Sequence, residues 1–301
     1  MITVSNRGPA HSFAFASLKA FGDLVILRSA LARANILPAP AIVIGSHLFE
    51  LGNALGSYCG QQLVVETHGQ VPAIFDLRRR GIGEALRSAI DLHRRFCRLE
   101  IDGDAPLTFD KLGWRERFIA RGRSVQALPD AANIYLAYSK LLREPEESPA
   151  YGARQQDARL RTAGIFPASR IGAKNLPSKL IGRLVQACRN ADLQPIIHLL
   201  EGERPELEGF DEHVRLVPRS FRALAAAVRS VDLVLSADSL PAHLAEYFGR
   251  PVFVLTPVDN EYWLPLGAFV HRRWARFEEL TMRSSRLASF LSSQGSGIPI
   301  S

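Results

Sequence analysis

Lysine is scarce in this chain. Of 37 basic residues only five are lysine, so the formal charge of +7 rests on arginine. Methionine (2), tryptophan (3) and cysteine (3) are also few. Cys59, Cys97 and Cys188 are scattered, odd in number and form no C-x-x-C, which argues against a disulfide framework and for reduced thiols in a cytoplasmic protein. No apolar run reaches the ~20 residues that a membrane crossing needs. The apolar stretch at 12–18 is too short for a signal-peptide core and runs into Lys19. The phosphate loop G-x-x-x-x-G-K-[ST], the nucleophile elbow G-x-S-x-G and the zinc helix H-E-x-x-H are all missing. Gly81-x-Gly83 lacks a third glycine at the dinucleotide spacing and opens no turn after a strand, which counts against a Rossmann oxidoreductase. No His, Cys or carboxylate cluster has metal-ligand spacing, so neither a metal nor another cofactor is expected. No basic ribbon interleaved with aromatics occurs, which argues against a nucleic-acid partner.

What is present is an alternation of short apolar runs and amphipathic stretches over 301 residues, 47% of them hydrophobic, enough for two ordinary domains. Residues 12–18 read as a strand, 19–23 as a turn and 24–34 as a helix with Leu24, Leu27 and Leu31 on one face. Strands follow at 41–44 and 62–65, then a long helix over 77–99, a strand over 123–128 and a helix over 131–142. The long helix sets Arg80, Arg87, Arg94 and Arg98 near one face. That face contacts an anionic glycolipid or membrane surface on one reading; on the blander and favoured one it is solvated and paired with Glu84 and Asp91. Residues 143–160 are rich in proline and charge and mark a domain boundary. The alternation restarts with strands at 162–166, 195–200 and 214–217 and helices at 177–190 and 219–229. The expected fold is therefore α/β: two facing Rossmann-like domains, 1–148 and 149–301, with a cleft between them. After Trp274 the chain reads as helical, and residues 275–292 are placed to cross back to the first domain.

The second half is organised around residues 231–255. Val231–Ser236 reads as a buried parallel strand, Asp238 and Ser239 fall where a helix cap belongs, Pro241 lies in the first turn, and Gly249 closes the helix before another strand. In an α/β sheet such a helix N-terminus at the carboxyl end of a strand binds phosphate. Asp238-Ser-Leu-Pro-Ala-His243, then Gly249-Arg-Pro and the loop Pro257–Pro265, resembles the nucleotide-sugar signature of glycosyltransferase family 9, the ADP-heptose-type lipopolysaccharide heptosyltransferases. The family pattern is D-[ST]-G-x-x-H, G-x-P and a G-P-T-D-P-like loop. Leu240 and Thr256 stand where it has glycine. Gly22-Asp23 resembles the family's opening G-D turn, and Ser169-Arg170-Ile-Gly-Ala-Lys174-Asn-Leu-Pro177 its S-R-x-x-x-K-x-[WL]-P element.

The resemblance implies the GT-B arrangement and an inverting, metal-independent transfer. A sugar, heptose or related, would pass from a nucleoside diphosphate, ADP-linked in the family, to a bacterial surface glycan. It implies Asp23 as general base, whereas spacing alone favours a helix cap. It implies Arg170 and Lys174 at the donor diphosphate; the alternative is a solvated basic loop. Asp238, Ser239 and Leu240 would line the donor site, with His243 as support, although a lone His there is more often a core residue. One of Glu201, Glu203 and Glu206, with Glu203 and Glu206 favoured, would hold a ribose diol; a solvated acidic loop is the equal alternative. Trp263 packs its loop or lines the nucleotide site, with packing the favoured reading. The implied partners are a nucleotide sugar and an anionic glycan or glycolipid, at the cytoplasmic face of the inner membrane. A GT-B nucleotide-sugar epimerase and a non-catalytic relative that binds nucleotide or glycan are the alternatives.

Overall fold

The computed structural model describes residues 14–67, 81–101, 106–142, 161–203, 209–282 and 285–295. They form two compact units, residues 1–24, 35–49 and 56–128 in one and residues 25–34, 50–55 and 129–301 in the other. The expected boundary at 148/149 lies outside the described residues.

The first unit is built on β1 (Ala14–Ser17), the start of α1 (Phe21–Ala34), β2 (Ala41–Gly45), a 3-10 turn (Ser46–Leu48) leading into α2 (Phe49–Ala54), β3 (Gln62–Val65), α3 (Ile82–Cys97), β4 (Leu107–Phe109), α4 (Trp114–Ile119) and β5 (Val125–Ala127). The five strands are all parallel, in the order β3-β2-β1-β4-β5. All four residues of β1 are buried, as a central strand covered on both faces requires. Val43, Leu92, Phe96, Phe109 and Ile119 share its core.

The second unit holds α5 (Ile134–Leu142), β6 (Thr162–Phe166), a 3-10 turn (Gly172–Lys174), α6 (Ser178–Asn190), β7 (Gln194–Leu200), β8 (Val214–Val217), α7 (Phe221–Arg229), β9 (Leu233–Ala237), α8 (Leu240–Tyr247), β10 (Val252–Thr256), α9 (Leu266–Val270), β11 (Trp274–Arg276), α10 (Glu279–Met282) and α11 (Ser285–Gly295). Its six parallel strands run β11-β10-β9-β6-β7-β8. Gly249 ends α8 in the left-handed region (φ 67°), where glycine carries no Cβ penalty. The Arg250 N–H then closes the turn onto the Ala245 carbonyl at 2.8 Å.

Both sheets have the doubly wound order. The chain leaves the first strand of each unit in one direction and later resumes on its other side, so β1/β4 and β6/β9 are switch points. Ligands of open parallel sheets bind outside the carboxyl ends of the strands at such points.

Three expectations are corrected. The expected turn at 19–23 is already helical from Phe21, so Asp23 is the third residue of α1 and not its cap. The short β4 and α4 had no counterpart in the sequence reading. Trp274 opens a strand that pairs with β10, because Trp274 and Ala275 are apolar enough to extend the sheet edge. Leu287, Phe290 and Leu291 of α11 are buried in the core of the second unit.

Candidate active site

At the β6/β9 switch point the loop after β6 is folded by its own backbone. The Leu176 N–H bonds the Pro167 carbonyl at 2.9 Å, and the Ser169 N–H bonds Asn175 Oδ1 at 2.7 Å. The 3-10 turn that this closure creates ends on Lys174. Asp238 follows β9 directly and is buried, and Lys174 Nζ lies 2.7 Å from its Oδ2. Asn260, from the loop after β10, donates to the same oxygen at 2.9 Å. Lys174 and Asp238 are thus brought together. Asn260 was missed by the sequence reading, since nothing local in the chain announces a donor aimed at a carboxylate 22 residues away.

Ser239 occupies the cap position of α8 with extended backbone (φ −156°), yet its hydroxyl does not cap the helix. It donates instead toward the carbonyls of Ala168 (3.2 Å) and Ala237 (3.3 Å), tying the two switch-point loops together. Leu240 is the first residue of α8 and is half-buried. His243 is buried one turn further in, with Nδ1 3.3 Å from the Tyr135 hydroxyl. Burial first, and the Lys174 charge in addition, push its pKa down to about 4 against the pull of Asp238, so the imidazole is neutral at pH 7.

Arg170 lies exposed on the loop that carries Lys174. Glu203 turns back onto its own strand, where Oε2 accepts the Leu200 N–H at 2.9 Å. Glu206 and Arg80 lie outside the described residues. Trp263 packs edge-on against Tyr262, with centroids 5.1 Å apart. Arg87 and Arg94 on α3 and Arg98 just after it are exposed, and Asp91 pairs with Arg95 at 2.9 Å.

The β1/β4 switch point of the first unit carries a different chemistry. Asp23 reaches back to the end of its helix, where Oδ2 accepts the Ala20 N–H at 3.1 Å. Asp110 follows β4 directly, and its charge acts on Asp23. Lys19 Nζ sits 2.9 Å from Glu116 Oε1 and donates to the Lys111 carbonyl at 3.0 Å. The Lys19 carbonyl is contacted in turn by His47 Nε2 at 3.0 Å. Burial, and then the charge of Asp110, raise the Asp23 pKa from 3.8 to about 7, outweighing the Ala20 hydrogen bond and Lys19. A helix N-terminus by itself lowers a carboxylate pKa; here burial and the neighbouring carboxyl outweigh it. Neither Asp110 nor His47 was singled out from the sequence.

Among the described residues no group of three or more His, Cys, Asp or Glu side chains is placed to hold a metal ion, and no helix is long and apolar enough to cross a membrane.

No family model matches the chain, and no curated protein matches it in sequence. Solved structures do match. A glycosyl transferase family 9 protein from Veillonella parvula DSM 2008 aligns with a TM-score of 0.58 at 13% identity, over 88% of this chain and 85% of that one. The E. coli heptosyltransferase WaaC with ADP aligns at 0.59 and 12%, over 94% and 99%. E. coli ADP-heptose lps heptosyltransferase II aligns at 0.56 and 11%, over 94% and 98%. Two parallel-sheet α/β units with these strand orders are the GT-B fold, and this chain shares that fold with the family 9 glycosyltransferases.

Proposed function

We propose that the protein is an inverting glycosyltransferase that moves a sugar from a nucleoside diphosphate to a glycan acceptor. The observation that carries the proposal is Asp23, a carboxyl at a switch point whose affinity for protons is matched to neutral pH. In the transfer, the acceptor oxygen forms a bond to the anomeric carbon and gives its proton to Asp23. The bond between that carbon and the β-phosphate oxygen breaks, and its electron pair leaves with the nucleoside diphosphate. Attack opposite the leaving group inverts the anomeric centre.

Lys174 and the N-terminus of α8 meet the charge that develops on the leaving diphosphate. Fixed cations and helix N–H groups do this without a metal. Arg170, on the Lys174 loop, adds charge from the rim. Asp238, held by Lys174 and Asn260, keeps its second oxygen for sugar hydroxyls. The ADP and ADP-heptose named with the E. coli structures make an ADP-linked heptose the first donor to test and a lipopolysaccharide core the first acceptor.

The test uses purified protein with ADP-, GDP-, UDP-, CDP- and TDP-sugars. Thermal shifts report binding, since a ligand of the native state raises Tm by mass action. Transfer is then assayed on lipopolysaccharide acceptors with the donor that binds. Asp23→Asn should abolish transfer and leave the donor shift intact, and Lys174→Ala should lose the shift. Loss of transfer and donor binding together in Asp23→Asn rejects Asp23 as base. Binding without turnover across the acceptor panel points to a nucleotide-binding protein instead.

A further inference from the structure

Tyr135, the second residue of α5, is the largest side chain that the fold seals completely. Its N–H is held by Asn133 Oδ1 at 2.9 Å. The amide of Asn133 also holds the carbonyls of Glu261 and Leu264, in the loop that brings Asn260 to Asp238. The guanidinium carbon of Arg33 lies 5.1 Å from the centre of the tyrosine ring, and Arg33 in turn faces Glu246 at 3.8 Å. The His243 ring stacks on the tyrosine, with centroids 6.4 Å apart. The phenol is thus fixed from its backbone to its ring, which leaves its hydroxyl little freedom. A sealed hydroxyl must place its proton on an acceptor, because a buried donor left without one costs the full desolvation of the group. Among the described residues the Tyr135 hydroxyl has one partner, His243 Nδ1 at 3.3 Å. Burial, with the charge of Glu246 added, raises the phenol pKa well above its ordinary value, so the proton is present.

A neutral imidazole carries one N–H, and the hydrogen bond made at one nitrogen decides which it is. With the proton on Nδ1, that nitrogen would donate to the phenol oxygen, and the phenol proton would have no acceptor. We propose that Tyr135 is a positioning residue for His243: its hydroxyl donates to Nδ1 and so fixes the neutral ring as the tautomer protonated on Nε2.

The other end of the ring is open. His243 is 7% exposed, its Nε2 has no partner among the described residues, and that atom, unlike the ring nitrogens of His198, is not sealed from solvent. It stands one turn into α8, the helix that begins beside Asp238. An N–H there pairs with a phosphate or ring oxygen, which can only accept; a bare nitrogen would serve only a hydroxyl. The ring therefore offers a neutral N–H to an acceptor oxygen of the ligand at the head of α8. That role rests on the ligand being the nucleotide-sugar donor proposed above; the tautomer does not.

The experiment is a long-range proton–nitrogen NMR spectrum, at pH 7, of protein isotopically labelled at histidine. It is recorded on the wild type, His243→Gln and Tyr135→Phe. His243→Gln identifies the His243 signals among those of the eight histidines. In the wild type Nε2 should be protonated, and Nδ1 should have the shift of a bare, hydrogen-bonded nitrogen. Tyr135→Phe keeps the ring and its stacking; there the tautomers should mix and the two nitrogen shifts approach one another. A wild type protonated on Nδ1 overturns the proposal, and that arm needs no variant of Tyr135. A His243 spectrum unmoved in Tyr135→Phe overturns it as well. Saturation with ADP-, GDP-, UDP-, CDP- and TDP-sugars supplies the second readout. The sugar nucleotide that raises Tm should move the Nε2 signal of the wild type and bind Tyr135→Phe about fivefold more weakly. Its KM should rise by the same factor with kcat nearly kept. A bound sugar nucleotide that leaves Nε2 unmoved overturns the role in recognition. If none of them raises Tm while the Nε2–H tautomer is found, the donor reading fails and the hold of Tyr135 on His243 stands.

Discussion

Removing Lys174 tests the second switch point without any substrate. Its ammonium lies 2.7 Å from Asp238 Oδ2; Asp238 is 6% exposed and the lysine side chain 26%. Taking one partner from a fully buried pair costs about 3–5 kcal/mol, and losing a hydrogen bond to a charged group about 1.5–3 kcal/mol. The lysine is partly solvated and Asn260 still donates to the carboxylate at 2.9 Å. Lys174→Ala should therefore sit low in that span, about 2 kcal/mol, or a fall in Tm of roughly 4 °C for a chain of this size. Asp238→Asn removes the charge and keeps the shape, and the double variant leaves no buried carboxylate to strand. The cost of the double variant should then be about 1–2 kcal/mol less than the sum of the two single costs. Urea unfolding at pH 7 measures all four proteins. Additivity within about 0.5 kcal/mol would show that the two side chains do not act on one another, and the account of this site would fail. Addition of the nucleoside diphosphate should shrink the coupling, because the ammonium is then shared with phosphate.

Two further perturbations probe what holds the second unit. His198 is buried, stacks on Phe166 with centroids 4.7 Å apart, and neither ring nitrogen has a partner among the described residues. Burial, with Arg215 adding to it, pushes its pKa down to about 4 from 6.5. Below pH 6.5 the unfolded chain binds a proton that the folded one refuses, so stability falls until pH 4, by up to about 3 kcal/mol from this residue. His198→Phe keeps the stack, and its stability measured by urea unfolding should match or exceed wild type at pH 7 and decline less between pH 6.5 and 4. Asn133 is fully buried; Nδ2 donates to the carbonyls of Glu261 and Leu264, each at 3.0 Å, and Oδ1 accepts the Tyr135 N–H at 2.9 Å. Asn133→Ala strips a donor from the Leu264 carbonyl and the acceptor from the Tyr135 N–H, and leaves the Glu261 carbonyl with only the Leu264 N–H at 3.2 Å; it should cost about 2–4 kcal/mol, with hydrogen exchange accelerated first across residues 257–265.

The strands were legible where they are long and apolar. Runs such as Leu233–Ala237 and Val252–Thr256 are wholly buried and have the composition of central parallel strands. Lys174 and Asp238, which the structure brings together, could be singled out because each lies in the loop that follows a readable strand. Asp110 was not. Its strand, Leu107–Phe109, is three residues long and buried throughout, so no periodicity distinguishes it from a loop. The Asp23 proton affinity is not readable for the same reason: helix position is local, while the burial and the Asp110 charge that raise it come from the tertiary fold, the charge from a residue 87 positions further along. Asn260 depends on packing in the same way.

The departures at Leu240 and Thr256 separate once burial is known. Glycine in both places would leave room for backbone to approach a ligand. Thr256 is fully buried and spends its hydroxyl inside the turn, donating to the Val258 carbonyl at 2.6 Å. That bond closes the chain just before Asn260, the residue that reaches Asp238. A buried side chain that closes a turn adds nothing to the surface a donor would meet. Leu240 is different: it is half-buried at the first position of α8, where a diphosphate and its sugar would lie on the reading proposed above. Of the two departures only Leu240 stands where a donor would meet it on that reading, so the substitution that should widen the range of accepted sugars is Leu240→Gly and not Thr256→Gly.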